Sequence, residues 1–148
     1  MIEEIDGRRT VSYSFRVRYA ETDAMGIAHH SSYVVWMEMG RTEFMRAFGF
    51  TYRQLEEMGV LLPVLEINVR YKGSAYYDDE LRITTWAEEL SRTRVKLAYR
   101  IERVFDGLLL TEAYSLHTFA GRDGRPTMIT HHPEAWEKML KMAPPAMG

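Results

Sequence analysis

Apolar and polar residues alternate over several stretches of the chain, a period of two that is typical of β-strands with one buried face. In residues 11–19, Val11, Phe15 and Val17 alternate with serines and arginines. The same pattern predicts strands over 65–71, 81–90, 94–105 and 108–120, with a short final strand over 127–130. The stretch 108–120 is apolar on both faces in places, which indicates a central strand. Short connections favour an antiparallel sheet, and Asp106-Gly107 suits a type I′ hairpin turn.

Residues 31–48 break this alternation and predict a helix. Ser31 or Ser32 can cap its start, and Gly49 can end it. Its first half is apolar nearly all round, which predicts burial on most sides. Shorter helices are predicted over 52–58 and 133–142. A sheet curled around the long helix buries both elements, giving an α+β fold in one domain, 1–148, with its core at about 11–130.

Composition narrows the function classes. The net charge of −2 gives no broad basic surface, so we expect no nucleic-acid partner. The absence of cysteine excludes disulfides, thiolate catalysis and sulfur-bound zinc. The N-terminal residues lack the features of a signal peptide, and no apolar stretch approaches the ~18 residues that span a bilayer. We therefore expect a cytoplasmic protein with no membrane span.

The candidate chemistry lies in residues 19–33, between the first strand and the long helix. Asp23 and His30 are candidates for nucleophile or general base. Unpaired N–H groups at a helix start can polarise a carbonyl group and stabilise an oxyanion. A structural interpretation also fits these residues: Asp23 as a turn former, His29 and His30 as helix-start residues, and Glu21 as a solvated loop charge. Residue types and spacing leave both interpretations open.

The stretch RYAETDAMG at 18–26, followed by His30, Tyr33 and EMGRTEF at 38–44, resembles the 4-hydroxybenzoyl-CoA thioesterase family. Within that family it is most similar to the YbgC-type acyl-CoA thioesterases. The likeness extends over about residues 11–120. It implies a hotdog fold, in which an antiparallel sheet of five to six strands wraps around a central helix. It also implies homodimers joined edge to edge, with the active site at the dimer interface, and pairing of dimers into a homotetramer.

The resemblance implies hydrolysis of an acyl-CoA thioester without a cofactor, with acyl carrier protein as an alternative carrier. Asp23 matches the catalytic aspartate, acting as nucleophile or general base, and His30 matches a histidine that orients substrate or assists proton transfer. Residues expected to bind substrate are Gly26, His29, Ser31, Tyr33, Arg92 and Arg94. His29 stands where relatives usually have tyrosine, and Ser32 where they often have asparagine, which leaves the acyl group undetermined.

Three other functions are considered. The five histidines show no helical i, i+4 spacing and no metal-binding motif, so no metal site is predicted. A non-catalytic module that binds acyl-CoA or an acyl carrier would not need the carboxylate of Asp23. A hotdog 2-enoyl-CoA hydratase or dehydratase would resemble this chain less at the D-x-x-G step.

Overall fold

Six antiparallel strands form one sheet in the computed structural model, which describes residues 1–144. The strands are β1 (Ile2–Ile5), β2 (Arg8–Arg16), β3 (Val64–Tyr71), β4 (Glu80–Leu90), β5 (Arg94–Arg103) and β6 (Leu109–Thr118). The helices are α1 (His30–Ala47), α2 (Tyr52–Glu57) and α3 (Pro133–Met142). The sheet order is β1-β2-β4-β5-β6-β3, so β6 lies inside the sheet and β3 forms one edge. The predicted α+β class is confirmed.

Helix α1 packs on the inner face of the sheet, against β2, β4 and β5. Trp36, Phe44 and Met45 are fully buried there. At Gly40 a Cβ atom would lie 2.9 Å from the Ile83 Cδ1 and Thr85 Oγ1 atoms, so the missing side chain lets α1 lie directly on β4. The predicted inward face of the fourth sequence strand is confirmed, since its apolar residues are buried: Val95, Leu97, Tyr99 and Ile101.

The opposite side of α1 is open, and the prediction that this helix is buried on most sides is wrong for a single copy of the chain. Val34 and Val35 are 37% and 45% exposed, and Glu38 is exposed. One layer of sheet covers only one side of a helix. The apolar residues on the other side are therefore left without cover by the rest of residues 1–144.

The edge strand β3 is exposed along most of its length. Leu65, Ile67 and Tyr71 are 50%, 39% and 41% exposed, and only Val69 is half-buried. The apolar alternation predicted this strand correctly. It did not predict that the apolar face would remain uncovered, because alternation gives the period of a strand and not its place in the sheet.

The first hairpin was not predicted. Strands β1 and β2 are joined by Asp6 and Gly7 alone, both with positive φ, 51° and 74°, as in a type I′ turn. The same turn type was predicted at Asp106-Gly107, and there it is wrong. Only Gly107 has positive φ, and its N–H donates to the Arg103 carbonyl in a longer loop.

Two further local predictions are wrong. Residues 127–130 form no strand, and a 3-10 turn, Ile129–His131, takes up part of that stretch. The N-cap of α1 is His29 rather than Ser31 or Ser32, because the Ser32 hydroxyl donates to the Glu21 carbonyl instead. Among residues 1–144, no helix combines the length and apolar character needed to cross a membrane.

Candidate active site

The loop between β2 and α1 folds back on itself around Asp23. The Asp23 N–H donates to the Ile27 carbonyl over 2.8 Å, and the Gly26 N–H donates to the Asp23 carbonyl over 3.0 Å. Thr22 and Ala28 pair across the base of the loop. Gly26 has a φ of +77°, which strains any residue with a Cβ atom, so a glycine at this position lets the loop close.

The Asp23 carboxylate is held by one oxygen and free at the other. Its Oδ1 atom accepts hydrogen bonds from the backbone N–H groups of Met25, at 2.8 Å, and Ile27, at 3.1 Å. Within residues 1–144, no donor reaches Oδ2. The carboxylate is half-buried, so it has a fixed orientation and one oxygen available to a ligand.

Helix α1 begins directly after this loop. The His29 N–H donates to the Glu21 carbonyl over 2.9 Å, and the Ser32 N–H donates to the His29 carbonyl over 3.0 Å. The N–H groups of His30 and Ser31 find no acceptor in the described part of the chain. Two free donors and the positive end of the helix dipole therefore lie at the start of α1.

Glu21 supports both the loop and the helix from below. It is 7% exposed, and its carboxylate accepts hydrogen bonds from the Arg18 N–H and the Trp36 indole N–H, both at 2.8 Å, and from the Arg18 guanidinium at 3.3 Å. Burial raises the pKa of Glu21, but these hydrogen bonds outweigh burial, and its pKa lies below the ordinary value. The interpretation of Glu21 as a solvated loop charge is therefore wrong.

Tyr71, at the end of β3, contacts the start of α1. Its ring stacks on the His30 imidazole with centroids 4.4 Å apart, and it meets the Tyr33 ring edge-on at 5.0 Å. Sequence reasoning did not select Tyr71 as a site residue. Its position at the end of an amphipathic strand was a weak signal, and nothing in the spacing of residues shows that this strand end lies beside residue 30.

The segment after β3 closes the other side of the loop. The Ala28 N–H donates to the Ala75 carbonyl, and the Tyr77 N–H donates to the Gly26 carbonyl, both over 2.9 Å. The Tyr33 hydroxyl accepts from the Ala75 N–H at 3.2 Å. Tyr33 is 2% exposed, so in one copy it supports the loop from inside rather than lining an open surface.

The structure brings together most of the residues selected from the sequence: Asp23, Gly26, His29, His30, Ser31 and Tyr33. Arg92 and Arg94 lie elsewhere, at the turn between β4 and β5. The Asp23 loop lies beside the start of β4, and the 11 residues of β4 separate the two places by about 33 Å. A single copy therefore does not bring these arginines to Asp23.

The site faces solvent on one copy of the chain. His29, His30 and Ser31 are exposed, and Met25 is 76% exposed. In the described residues, no group of three or more histidine, aspartate or glutamate side chains is arranged to hold a metal ion. The groups available for catalysis are therefore a half-buried carboxylate, an imidazole and two free backbone N–H donors.

Comparison with known proteins identifies the superfamily of the chain. A model described as the thioesterase-like superfamily matches residues 17–145. The chain belongs to this superfamily. YbgC, an acyl-CoA thioester hydrolase of Escherichia coli, is 36% identical over 98 residues, which are 66% of this chain and 72% of YbgC. The resemblance to the YbgC-type proteins is thereby confirmed, and the family is one of thioester-hydrolysing enzymes.

Two more relatives extend the comparison. YneP of Bacillus subtilis, a putative acyl-CoA thioesterase by name, is 45% identical over 85 residues, 57% of this chain and 62% of YneP. The chain thus spans less than two thirds of YneP. A crystal structure of the DHNA-CoA thioesterase of Staphylococcus aureus superposes with a TM-score of 0.83 at 31% identity and covers 89% of each chain. The hotdog fold is confirmed.

Proposed function

We propose that this protein is an acyl-CoA thioesterase that hydrolyses the thioester to a free acid and coenzyme A. The observation that carries this proposal is the state of Asp23. Two backbone N–H groups fix its Oδ1 atom, and its Oδ2 atom is free within residues 1–144, in a loop that leads into the donors of His30 and Ser31. The names of YbgC and the Staphylococcus aureus enzyme supply the thioester substrate class.

Either role of Asp23 gives a balanced reaction. As nucleophile, Oδ2 attacks the thioester carbon, the C–S bond breaks, the coenzyme A thiolate takes up a proton, and water then hydrolyses the resulting mixed anhydride. As general base, Asp23 removes a proton from water, which attacks the same carbon; the C–S bond then breaks, and the proton passes to the coenzyme A thiolate. In both cases the free N–H groups at the start of α1 stabilise the oxyanion, and His30 orients the substrate or assists proton transfer.

We also propose that two copies join through β3 to complete the site. The outer edge of β3 has no strand beside it within residues 1–144, and its apolar residues are exposed. Val64 and Tyr71 lie at opposite ends of this strand, near the arginine turn and near His30 respectively. Antiparallel pairing of two β3 strands therefore brings the partner's Arg92 and Arg94 to the Asp23 end, where they bind the phosphates of coenzyme A.

Further assembly and location follow from the same proposal. Dimers pair into a tetramer in the cytoplasm, with coenzyme A or an acyl carrier protein as the carrier of the acyl group. Gly26 and His29 contact the substrate next to Asp23, and Ser31 does so through its backbone N–H. The chemistry uses only groups of this chain and water, so no cofactor is needed.

Release of free thiol from short aliphatic, long aliphatic and aromatic acyl-CoA esters tests the proposal, with wild type compared with Asp23→Asn. We expect hydrolysis by the wild type and a loss of at least ~100-fold in kcat in the variant, because the amide can neither attack nor take a proton. Asp6→Asn is the matched control, since Asp6 lies in the exposed turn of the first hairpin. Unchanged turnover by Asp23→Asn would contradict the mechanism, and no thiol release from any ester by folded wild type would contradict the function.

A further inference from the structure

Arg41 is a buried cation without a carboxylate partner in the described residues. It is 9% exposed and lies in the middle of α1. Its Nε atom donates to the Tyr52 hydroxyl at 2.5 Å, and its Nη1 atom donates to the Tyr99 hydroxyl at 3.0 Å. Glu38, one turn earlier on the helix, is exposed and makes no ion pair with Arg41.

The two phenols add no negative charge. Burial raises the pKa of Tyr52 to about 12, and burial also raises the pKa of Tyr99, so both hydroxyls stay protonated at neutral pH. A guanidinium group keeps its proton in proteins, so the positive charge of Arg41 stays. A buried charge without a counter-charge is costly, and an anion that reaches it is strongly favoured.

A chain of hydrogen bonds fixes the orientation of this guanidinium. The Tyr99 hydroxyl lies 2.7 Å from Ser115 Oγ, Ser115 Oγ lies 2.8 Å from His117 Nε2, and His117 Nδ1 lies 3.2 Å from the Leu62 carbonyl oxygen. Arg41 can only donate a hydrogen bond, and the Leu62 carbonyl can only accept one. Each group between them therefore accepts from the side of Arg41 and donates towards Leu62. The Tyr99 hydroxyl therefore accepts from Arg41 and donates to Ser115.

The remaining nitrogen of Arg41 is free. Its Nη2 atom has no acceptor in residues 1–144. The fully enclosed side-chain atoms without a hydrogen-bond partner in these residues are Thr85 Oγ1 and Thr111 Oγ1, so Nη2 is partly accessible to solvent. Nη2 thus borders space that a water molecule can enter. Its two N–H groups are available to a ligand.

A groove between α1 and the edge strand lies beside Arg41, because its partner Tyr99 contacts Ser115, which pairs with Ile67 of β3. Ile67 and Val69 on β3 lie opposite the inward-facing Ser115 and Ala113 of β6, so their side chains also face inward. Val34 and Arg41 are seven residues apart, on one stripe of α1. Ile67 is 39% exposed and Val34 is 37% exposed, so no side chain of this copy fills the groove between them.

The groove links the candidate active site to Arg41. One end lies where Tyr71 meets His30, beside the Asp23 loop. Arg41 lies 11 residues along α1 from His30, about 16 Å away along the helix axis. The lining between the two ends is mostly apolar, which suits a chain of methylene groups, and the far end carries a fixed positive charge.

We propose that Arg41 binds a carboxylate at the distal end of the acyl group, so that the preferred substrates are dicarboxylyl-CoA thioesters. This inference rests on the proposed thioesterase function and names its substrate class. Two N–H groups of Nη2 donate to the distal carboxylate, while the thioester lies at Asp23. An unsubstituted acyl chain of the same length leaves the charge of Arg41 without a counter-ion.

The test compares kcat/KM for dicarboxylyl-CoA and monocarboxylyl-CoA substrates of equal carbon number, over a series of chain lengths. A charge-assisted hydrogen bond supports a preference of about 10- to 100-fold. We expect this ratio to peak at one chain length, where the carboxylate reaches Nη2, and to fall towards one in Arg41→Gln. Arg46→Gln is the matched control, an exposed arginine of the same helix that pairs with Glu43, and it keeps the wild-type ratio.

The failures of the two proposals are distinguishable. A wild-type ratio near one at every length, or a ratio unchanged in Arg41→Gln, overturns the carboxylate site while the thioesterase function stands. Thermal unfolding with octanedioate or 1,8-octanediol tests binding without hydrolysis: we expect octanedioate alone to raise the Tm of the wild type, because the diol has no carboxylate. Equal shifts with both compounds overturn the inference, and this measurement needs no variant to fold.

Discussion

The ring of Tyr71 stacks on the imidazole of His30 with centroids 4.4 Å apart, and the Tyr71 hydroxyl donates to the His30 carbonyl oxygen at 2.9 Å. This contact joins the exposed edge of the sheet to the start of α1. The strand through which we propose that two copies associate is therefore in direct contact with a proposed catalytic residue.

Removing the Tyr71 ring is expected to weaken catalysis without abolishing it. Tyr71→Phe keeps the stack and loses the hydrogen bond, and we expect kcat/KM to fall about threefold. Tyr71→Ala loses both contacts, and we expect a fall of about tenfold or more. Tyr114→Phe removes a hydroxyl that bonds Glu66 on the outer face and serves as control. Wild-type kcat/KM in Tyr71→Ala would show that the contact has no role in positioning His30.

His30→Ala is expected to give a partial loss, smaller than that of Asp23→Asn, because the helix donors and the carboxylate remain. Steady-state kinetics on one acyl-CoA ester gives both numbers. His131→Ala, in the exposed 3-10 turn, is the matched control. Full activity of His30→Ala would reduce His30 to a structural residue, and a loss equal to that of Asp23→Asn would make the imidazole as important as the carboxylate.

Glu21→Gln is expected to destabilise the fold by about 2 kcal/mol, since a buried carboxylate with charge-assisted hydrogen bonds is replaced by a neutral amide. Urea unfolding at pH 7 measures the change, with Glu4→Gln on exposed β1 as control. The pKa of Glu21 is lowered on folding, so its contribution is present above about pH 4.5 and lost as pH falls through the lower folded pKa. A variant as stable as the wild type would contradict this account.

His117 predicts a second pH dependence of stability. Burial and then the charge of Arg41 lower the pKa of His117 from 6.5 to about 4. Between these values the unfolded chain binds a proton that the folded chain does not, so stability falls as pH drops from 6.5 to about 4, by up to about 3 kcal/mol. Urea unfolding across this range should show the slope in the wild type and a shallower one in His117→Gln. Identical slopes would exclude His117 as the cause.

Association through β3 is tested by Ile67→Lys. A lysine on an edge strand discourages pairing, so we expect an assembly of lower mass than that of the wild type, measured by light scattering after size exclusion. Ile5→Lys, on the opposite edge strand β1, is the matched control and should keep the wild-type mass. A wild-type mass for Ile67→Lys would contradict association through β3.

Local patterns predicted the elements well because each depends on neighbouring residues. Alternation gave the strands around Val95 and Ile83, and the apolar run after Ser32 gave α1, each within one or two residues of its bounds. The first hairpin was missed because a strand of four residues carries almost no periodic signal. The Asp6-Gly7 dipeptide was the one sequence signal for this hairpin, and the same dipeptide at 106–107 forms a different loop.

The site was predictable only in part, for a physical reason. Asp23, Gly26 and His30 lie close in sequence, so a motif reveals them together. Glu21 binds Trp36 from below the loop, and Tyr71 reaches His30 through a strand at the far edge of the sheet. Such contacts depend on topology, which spacing along a single chain does not encode.

The placement of β3 also determines when this site forms as the chain is synthesised. Tyr71 pairs with Thr111, 40 residues further along, and β3 has no other strand beside it within residues 1–144. Strand β3 therefore cannot dock until β6 has left the ribosome, and pairing across such a separation is a slow event. The start of α1 gains the support of Tyr71 near the end of folding, so the nascent chain carries Asp23 and His30 long before the proposed catalytic centre is complete.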